Sequence, residues 1–251
     1  MGSALGAALV AEGRAAIFAG ARRSDETIRR GREAGLLDVV TLDELREHAD
    51  VIVSVCPPHV AREVAASVAG FRGLYVDANA VSPATARAIG VDVERGGARF
   101  VDGGIIGRPP SAPGTTRLYL SGAAAEEAAE RLGGALFDAR VLSGEIGDAS
   151  ALKMTYAAWS KGTQALVLAV RATARAHGVE EALRAEWELS VPDLPERLAR
   201  AEQSAETKGW RWIAEMEEIA ATFAAAGEPA GFHEAAAEVF RRADSSATLE
   251  S

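Results

Sequence analysis

Five short hydrophobic runs, bounded by Gly, Asp, Arg or Pro, constrain this chain most: Ala15–Ala19, Val51–Val55, Leu74–Asp77, Arg99–Asp102 and Arg117–Leu120. Several are almost continuously apolar, the pattern of strands buried on both faces. Ala4–Glu12, Asp25–Glu33, Leu42–His48 and Pro58–Val68 read as helices around them. This alternation with short connections predicts an α/β, Rossmann-like doubly wound sheet over residues 1–145. From Ala149 to Ala176 the chain has no proline, one glycine and abundant Ala, Leu and Val. That predicts a helix too long for a crossover between strands. Asp193–Ala205, Gly209–Ala226 and Gly231–Ala243 are helical by period, punctuated by Val191-Pro192 and Gly227-Glu228-Pro229. Residues 146–251 therefore read as an all-α domain ending in a frayed tail from Asp244.

Composition narrows the function classes. With 251 residues, 48% hydrophobic and 25% charged, the chain has the profile of a globular protein with a substantial core. Its net charge of −9 disfavours a nucleic-acid partner. Cys56 stands alone, so no internal disulfide forms, which suits a reducing compartment. No apolar run reaches the roughly 18–20 residues that span a bilayer, so no membrane partner is expected. The start, MGSALGAALVAEG, has no basic stretch or cleavage site, and the cytoplasm is the expected location. No His, Cys or carboxylate set has metal-ligand spacing.

MGSALGAALVAEG followed by AAIFA reads as the helix and second strand of a dinucleotide-binding βαβ unit, with Gly2 as its third glycine. The alternative is an amphipathic N-terminal helix. On the dinucleotide reading, the first strand and first two glycines of the fingerprint are absent from the sequence. After the second strand come Arg22, Arg23 and Ser24, with no acid until Asp25. Two guanidiniums and a hydroxyl suit a ribose 2′-phosphate, hence NADP rather than NAD; the alternative is a solvated arginine pair. Two later strand ends, Cys56-Pro57-Pro58-His59 and Asp77-Ala78-Asn79, fall where open α/β sheets bind ligands. Cys56 reads as a small buried residue and His59 as a helix-start residue rather than as nucleophile and base.

Only three of the 27 basic residues are lysines, and Lys153 stands near the domain junction in a mostly apolar helix. Apolar surroundings destabilise an ammonium and bring a lysine toward the range useful for proton transfer. The alternative is a lysine that snorkels from the helix surface. Tyr156 and Ser160 follow at helical spacing and share its face.

The segments MGSALG, VIVSVCPPH, VDANAVSP, FVDGGIIGRPP, GEIGDASALKMTYAAWSKGTQAL and KGWRWIAEMEEIA carry a family resemblance. From Gly2 to about Ala243 the chain resembles the 6-phosphogluconate dehydrogenase-like and β-hydroxyacid dehydrogenase superfamily. Within it, the chain is most similar to a branch of phosphogluconate dehydrogenases with a C-terminal domain of unknown function. The resemblance implies hydride transfer between a nicotinamide and a substrate carbon, with a long helix building a homodimer. It makes Lys153 the catalytic lysine, with Gly144 and Gly147 the glycines before it. It puts Asn79 near nicotinamide and substrate, and Lys208 on the cofactor side together with Pro57. Three departures stand out: Ala157 replaces a common Asn, Ser160 replaces the glutamate of decarboxylating sugar-acid enzymes, and Ile106-Gly107-Arg108 replaces a substrate-binding Ser-Gly-Gly. These argue against sugar-phosphate decarboxylation.

The expected protein is an NADP-preferring oxidoreductase acting on a small hydroxy acid or related carbonyl compound. Lys153 serves as acid/base, and Asn79, Gly107, Arg108, Tyr156 and Ser160 bind substrate. Arg108 is read as a carboxylate ligand or as a solvated loop residue. Trp159, Trp187, Trp210 and Trp212 are read as packing residues on helices or at the dimer interface. The alternatives are a non-catalytic dimeric protein of the same fold without a complete nucleotide site, or an imine reductase-like enzyme.

Overall fold

The computed structural model describes residues 1–21, 23–142 and 144–249, with side chains considered up to residue 243. The chain divides into two compact units, Met1–Lys153 and Met154–Ser251. No helix among the described residues is long and apolar enough to cross a membrane.

The first unit opens with α1 (Gly2–Ala11), β1 (Ile17–Phe18), α2 (Asp25–Glu33), β2 (Leu37–Asp38) and α3 (Leu42–His48). β1 and β2 pair in parallel as a separate two-stranded sheet. The main sheet runs β3 (Val51–Ser54), β4 (Leu74–Asp77), β5 (Arg99–Gly107), β6 (Thr116–Ser121) and β7 (Asp138–Val141), in that order. All its pairs are parallel except β5–β6, an antiparallel hairpin. α4 (Ala61–Ser67), α5 (Pro83–Arg95) and α6 (Ala125–Leu132) make the connections.

Local chemistry sets the helix starts. Thr41 and Glu44 form a capping box on α3. Ser82 caps α5, with Pro83 at its first position. Strand alternation then builds two cores. Leu74, Val76 and Val101 face one side, packed with Leu5, Leu118, Leu120, Ala128 and Phe137. Tyr75 and Phe100 face the other, stacked 6.3 Å apart and packed with Ala65, Val81, Ile89 and Val93. Covering both faces is what makes the strands almost continuously apolar in sequence.

The second unit is all helix: the rest of α7 (Asp148–Ala176), then α8 (Glu180–Ser190), α9 (Leu194–Ala225) and α10 (Gly231–Leu249). The break expected between Ala205 and Gly209 is absent, because α9 is one helix of 32 residues. Gly209 is buried in mid-helix, where a Cβ would only touch the Phe240 carbonyl at 3.8 Å, and it does not terminate the helix. Other expectations also shift. The first strand shrinks to Ile17–Phe18, and Pro58–Val60 is a 3-10 turn before α4. Trp187 is buried with Val167, Leu198 and Ala201, whereas Trp159 and Trp210 are exposed, Trp210 with the Arg211 guanidinium 4.8 Å from its ring centroid.

Lys161 and Glu215 form an ion pair with side chains only 15% and 8% exposed, and the Lys161 ammonium lies 5.5 Å from the Trp212 ring centroid. Trp212 in turn meets Phe240 edge to face at 5.1 Å. Removing one member of a buried pair strands the other charge, at a cost of about 3–5 kcal/mol. Lys161→Met is therefore expected to lower unfolding free energy by that order in urea titration, and Lys161→Met with Glu215→Leu to regain most of it. A double variant as unstable as the single one would show that the pair's charges are not what matters.

Candidate functional site at the carboxyl edge of the sheet

Parallel register aligns three polar residues where β3, β4 and β5 approach their carboxyl ends: Ser54 opposite Asp77, and Asp77 opposite Asp102. All three are buried. The Asp102 carboxylate accepts from Ser150 Oγ at 2.6 Å, the Ser150 and Gly147 amides at 2.9 Å and Ser121 Oγ at 3.1 Å. Ser121 Oγ itself accepts from the Ala149 amide at 3.1 Å. A strand carboxylate thus takes up the open N–H groups at the head of α7, where the helix dipole also favours negative charge. Gly147 has φ 110°, the left-handed conformation that lets the chain turn into this helix.

Glycine brings α7 down onto β5. A Cβ at Gly104 would lie 2.7 Å from the Ala149 carbonyl oxygen and 3.0 Å from Lys153 Cβ. Lys153, half-buried, is consequently held against β5 just past Asp102.

Asn79 lies beside this cap. Its Oδ1 accepts from the Cys56 amide at 2.6 Å, its Nδ2 donates to Ser54 Oγ at 2.9 Å, and its own amide donates to Asp77 Oδ1 at 3.0 Å. It is buried, so its amide ties the β3 and β4 ends together and fixes the turn that carries Pro57. Burial pushes the Cys56 thiol up to about 11, consistent with a packing residue rather than a thiolate nucleophile. His59 sits exposed in the 3-10 turn.

At the nucleotide end, α1 begins at Gly2 with no side-chain cap. Ser24 caps α2 by accepting from the Thr27 amide at 3.3 Å, beside exposed Arg23. Arg22 lies outside the described residues. An uncapped helix start and a hydroxyl-arginine pair at a second one fit the phosphates of a dinucleotide. Asp38, at the end of β2, escaped the sequence reading. It accepts from the Gly20 amide at 3.0 Å, the Val40 amide at 2.9 Å and Arg32 at 3.1 Å. The Val40 amide above all, with Arg32 and the Gly20 amide, holds its carboxyl below the ordinary value. The signal was available, since LLDVV at 36–40 is another short apolar run between helices.

The substrate candidates divide between the units. Gly107 ends β5 at φ 125°, where a Cβ would meet the Thr115 carbonyl oxygen, and exposed Arg108 opens the hairpin loop. Tyr156, Ser160 and Lys208 belong to the second unit; Tyr156 and Lys208 are exposed and Ser160 is half-buried.

Residues 174–243 match the family described as Domain of unknown function (DUF1932). An uncharacterized 28.5 kDa protein of Methanothermus fervidus is 30% identical over 166 residues, 64% of this chain and 62% of that protein, so the match spans less than two thirds of its length. Among solved structures, the conserved protein MTH1747, described as structurally similar to 3-hydroxyacid dehydrogenases, is 29% identical with a TM-score of 0.67. That match covers 99% of this chain and 94% of the other. The chain carries a DUF1932 domain on a 3-hydroxyacid dehydrogenase-like fold. Two more distant structures share the fold: Mycobacterium tuberculosis 3-hydroxyisobutyrate dehydrogenase with L-serine (16% identity, TM-score 0.70, 96% and 89% covered) and the Aspergillus terreus reductive aminase with NADPH and ethyl-5-oxohexanoate (19%, 0.60, 97% and 90%).

In this hydroxyacid dehydrogenase-like frame the two strand-end carboxylates differ sharply. Asp102 is surrounded by donors, while Asp77 Oδ2 is buried without a hydrogen-bond partner among the described residues. Burial first, and the Asp102 charge with it, push the Asp77 carboxyl from 3.8 up to about 7, against the pull of the Asn79 amide. A folded-state value above the unfolded one means that the folded protein binds the extra proton. The resulting stabilisation is complete below about pH 4 and lost as pH rises to about 7. At about 1.4 kcal/mol per unit the change is about 4 kcal/mol. Asp77→Asn, neutral at all pH, should therefore gain stability on the parent between pH 4 and 8 in urea titrations. Parallel curves would show that Asp77 does not titrate there.

Proposed function

We propose that the chain is an NADP-preferring oxidoreductase that acts on a small hydroxy acid or related carbonyl compound, with Lys153 as general acid/base. The observation that carries this reading is the Asp102-capped start of α7, which holds Lys153 against Gly104 at the carboxyl edge of the parallel sheet. That edge is where open α/β sheets take their ligands. Similarity to proteins named for hydroxyacid oxidation and for NADPH-linked reduction supports the reaction class by analogy of fold.

A bound nicotinamide would supply hydride acceptance or donation at its ring carbon. Lys153 Nζ would take the hydroxyl proton of the substrate in oxidation and return it to the carbonyl oxygen in reduction. The Asn79 bridge holds the β3 and β4 ends, and with them Pro57, in fixed positions beside the cofactor. Arg23 and Ser24, at the head of α2, would hold the 2′-phosphate, and Arg108 a substrate carboxylate.

The working form in this reading is a homodimer. Tyr156, Trp159, Leu166 and Val170 are exposed along α7 at positions three, four or seven apart, an apolar stripe suited to a second copy.

Calorimetric titration with NADPH and NADH tests the cofactor assignment. NADPH is expected to bind about tenfold or more tightly than NADH, and Arg23→Ala to remove most of that difference. Equal binding of both cofactors would contradict the preference. Light scattering should give twice the 26.1 kDa chain mass, falling to one chain in Trp159→Glu. A monomeric parent would remove the dimer from the reading.

A further inference from the structure

At the opposite edge of the main sheet, where β3, β4 and β5 begin, lies a cleft of about 400 Å³ within the first unit. Four of its ten lining residues are arginines, Arg46, Arg72, Arg99 and Arg131, in a chain with 24 arginines in 251 residues. They come from four places: α3, the 70–73 loop, the first residue of β5, and α6. Against them stand the two lining carboxylates, Asp50 and Glu127, so the cleft carries a net charge of +2 in a protein of −9.

The guanidiniums are fixed in place. Glu127 takes Arg99 through two of its nitrogens and Arg131 Nε at 3.0 Å. Arg46 donates to the Ala69 carbonyl and pairs with Asp43. Each keeps further N–H donors beyond these pairs. Arg72 differs: it makes no ion pair or hydrogen bond with any described residue. Its guanidinium lies over Gly97, where a Cβ would meet Nη1, and Gly97 itself turns at φ 100°. Glycines set the course of the loop that carries it. Gly70 turns at φ 90°, and a Cβ on Gly73 would collide with the Asp50 carbonyl and the Phe71 ring. The backbone amides of Arg72 and Gly73 likewise donate to no described group.

We propose that this cleft is a second ligand site, which takes a small molecule bearing a phosphate or diphosphate group. Arg72 is its principal ligand, and Arg46, Arg99 and Arg131 supply the surrounding charge. Converging planar forks with spare donors match tetrahedral oxyanions, and the volume suits a small metabolite. Strands of four residues span about 10 Å, which separates this site from the one at the carboxyl edge. The inference is independent of the proposed hydride chemistry.

The test is calorimetry of the full chain with inorganic pyrophosphate at low ionic strength, comparing the parent with Arg72→Ala. Arg72 is exposed and outside the candidate active site, so the variant is expected to keep NADPH affinity unchanged. The proposal expects one pyrophosphate per chain, with affinity lowered about tenfold or more in Arg72→Ala. Pyrophosphate bound equally by both proteins, or not bound at millimolar concentration, would overturn it. Displacement of pyrophosphate by NADPH would assign the binding to the cofactor cradle and overturn it too. Citrate binding more tightly than pyrophosphate would overturn the phosphate assignment. The comparison of parent and variant decides the matter even if no nicotinamide binds.

Discussion

The hydrogen bonds between the Asp102 carboxylate and the head of α7 are the contact on which the candidate site depends. A buried carboxylate without donors would be untenable, and a buried helix start without acceptors would leave amides stranded. Each problem solves the other here, through the Gly147 and Ser150 amides and the Ser150 and Ser121 hydroxyls. Hydrogen bonds to a charged group contribute about 1.5–3 kcal/mol each. The start of the long helix is thereby fixed to a particular strand residue. Gly104 adds the missing distance, and Lys153 inherits its position from both.

The same satisfaction of Asp102 explains the behaviour of its neighbour. Two carboxylates facing each other in register on adjacent buried strands cannot both ionise cheaply. Four donors converge on Asp102, whereas Asp77 is met by the Asn79 amide, and burial with the neighbouring charge pushes its carboxyl up to about 7. A neutral Asp77 still accepts the Asn79 amide, and Asn79 can then bridge Ser54 and Cys56. The strand-end loops are held by a polar network rather than by packing alone, which is the arrangement that keeps ligand-facing turns rigid.

Sequence pattern reached the strands buried on both faces, because their apolar runs are long relative to their lengths. It reached the long helix for the same reason: nothing in 149–176 can stop it. It did not reach β2, since Leu37–Asp38 is two residues long and its importance rests on Asp38, a contact made through the fold. It broke α9 at Gly209, where a buried glycine inside a helix packed on α10 looks locally like a terminator. At the site, Lys153 stood out by its rarity. Asp102 did not, because its partners lie 19, 45 and 48 residues away. Asn79 was noticed, but its three internal hydrogen bonds were not legible, since they run to residues of another strand end and to Asp77. The arginine cleft was not legible at all, since its four arginines are spread over residues 46–131.

In the proposed chemistry Lys153, held in place by the Asp102-capped helix start, moves a proton to or from the substrate oxygen. The direct measurement is NADPH oxidation over a panel of small keto acids and cyclic imines, comparing the parent with Lys153→Met and with nicotinamide affinity measured on both. Turnover of a keto acid by the parent is expected, with a loss of about a hundredfold or more in kcat for the variant and NADPH binding intact. Undiminished keto-acid turnover in Lys153→Met, or turnover of imines alone with the lysine dispensable, would contradict it.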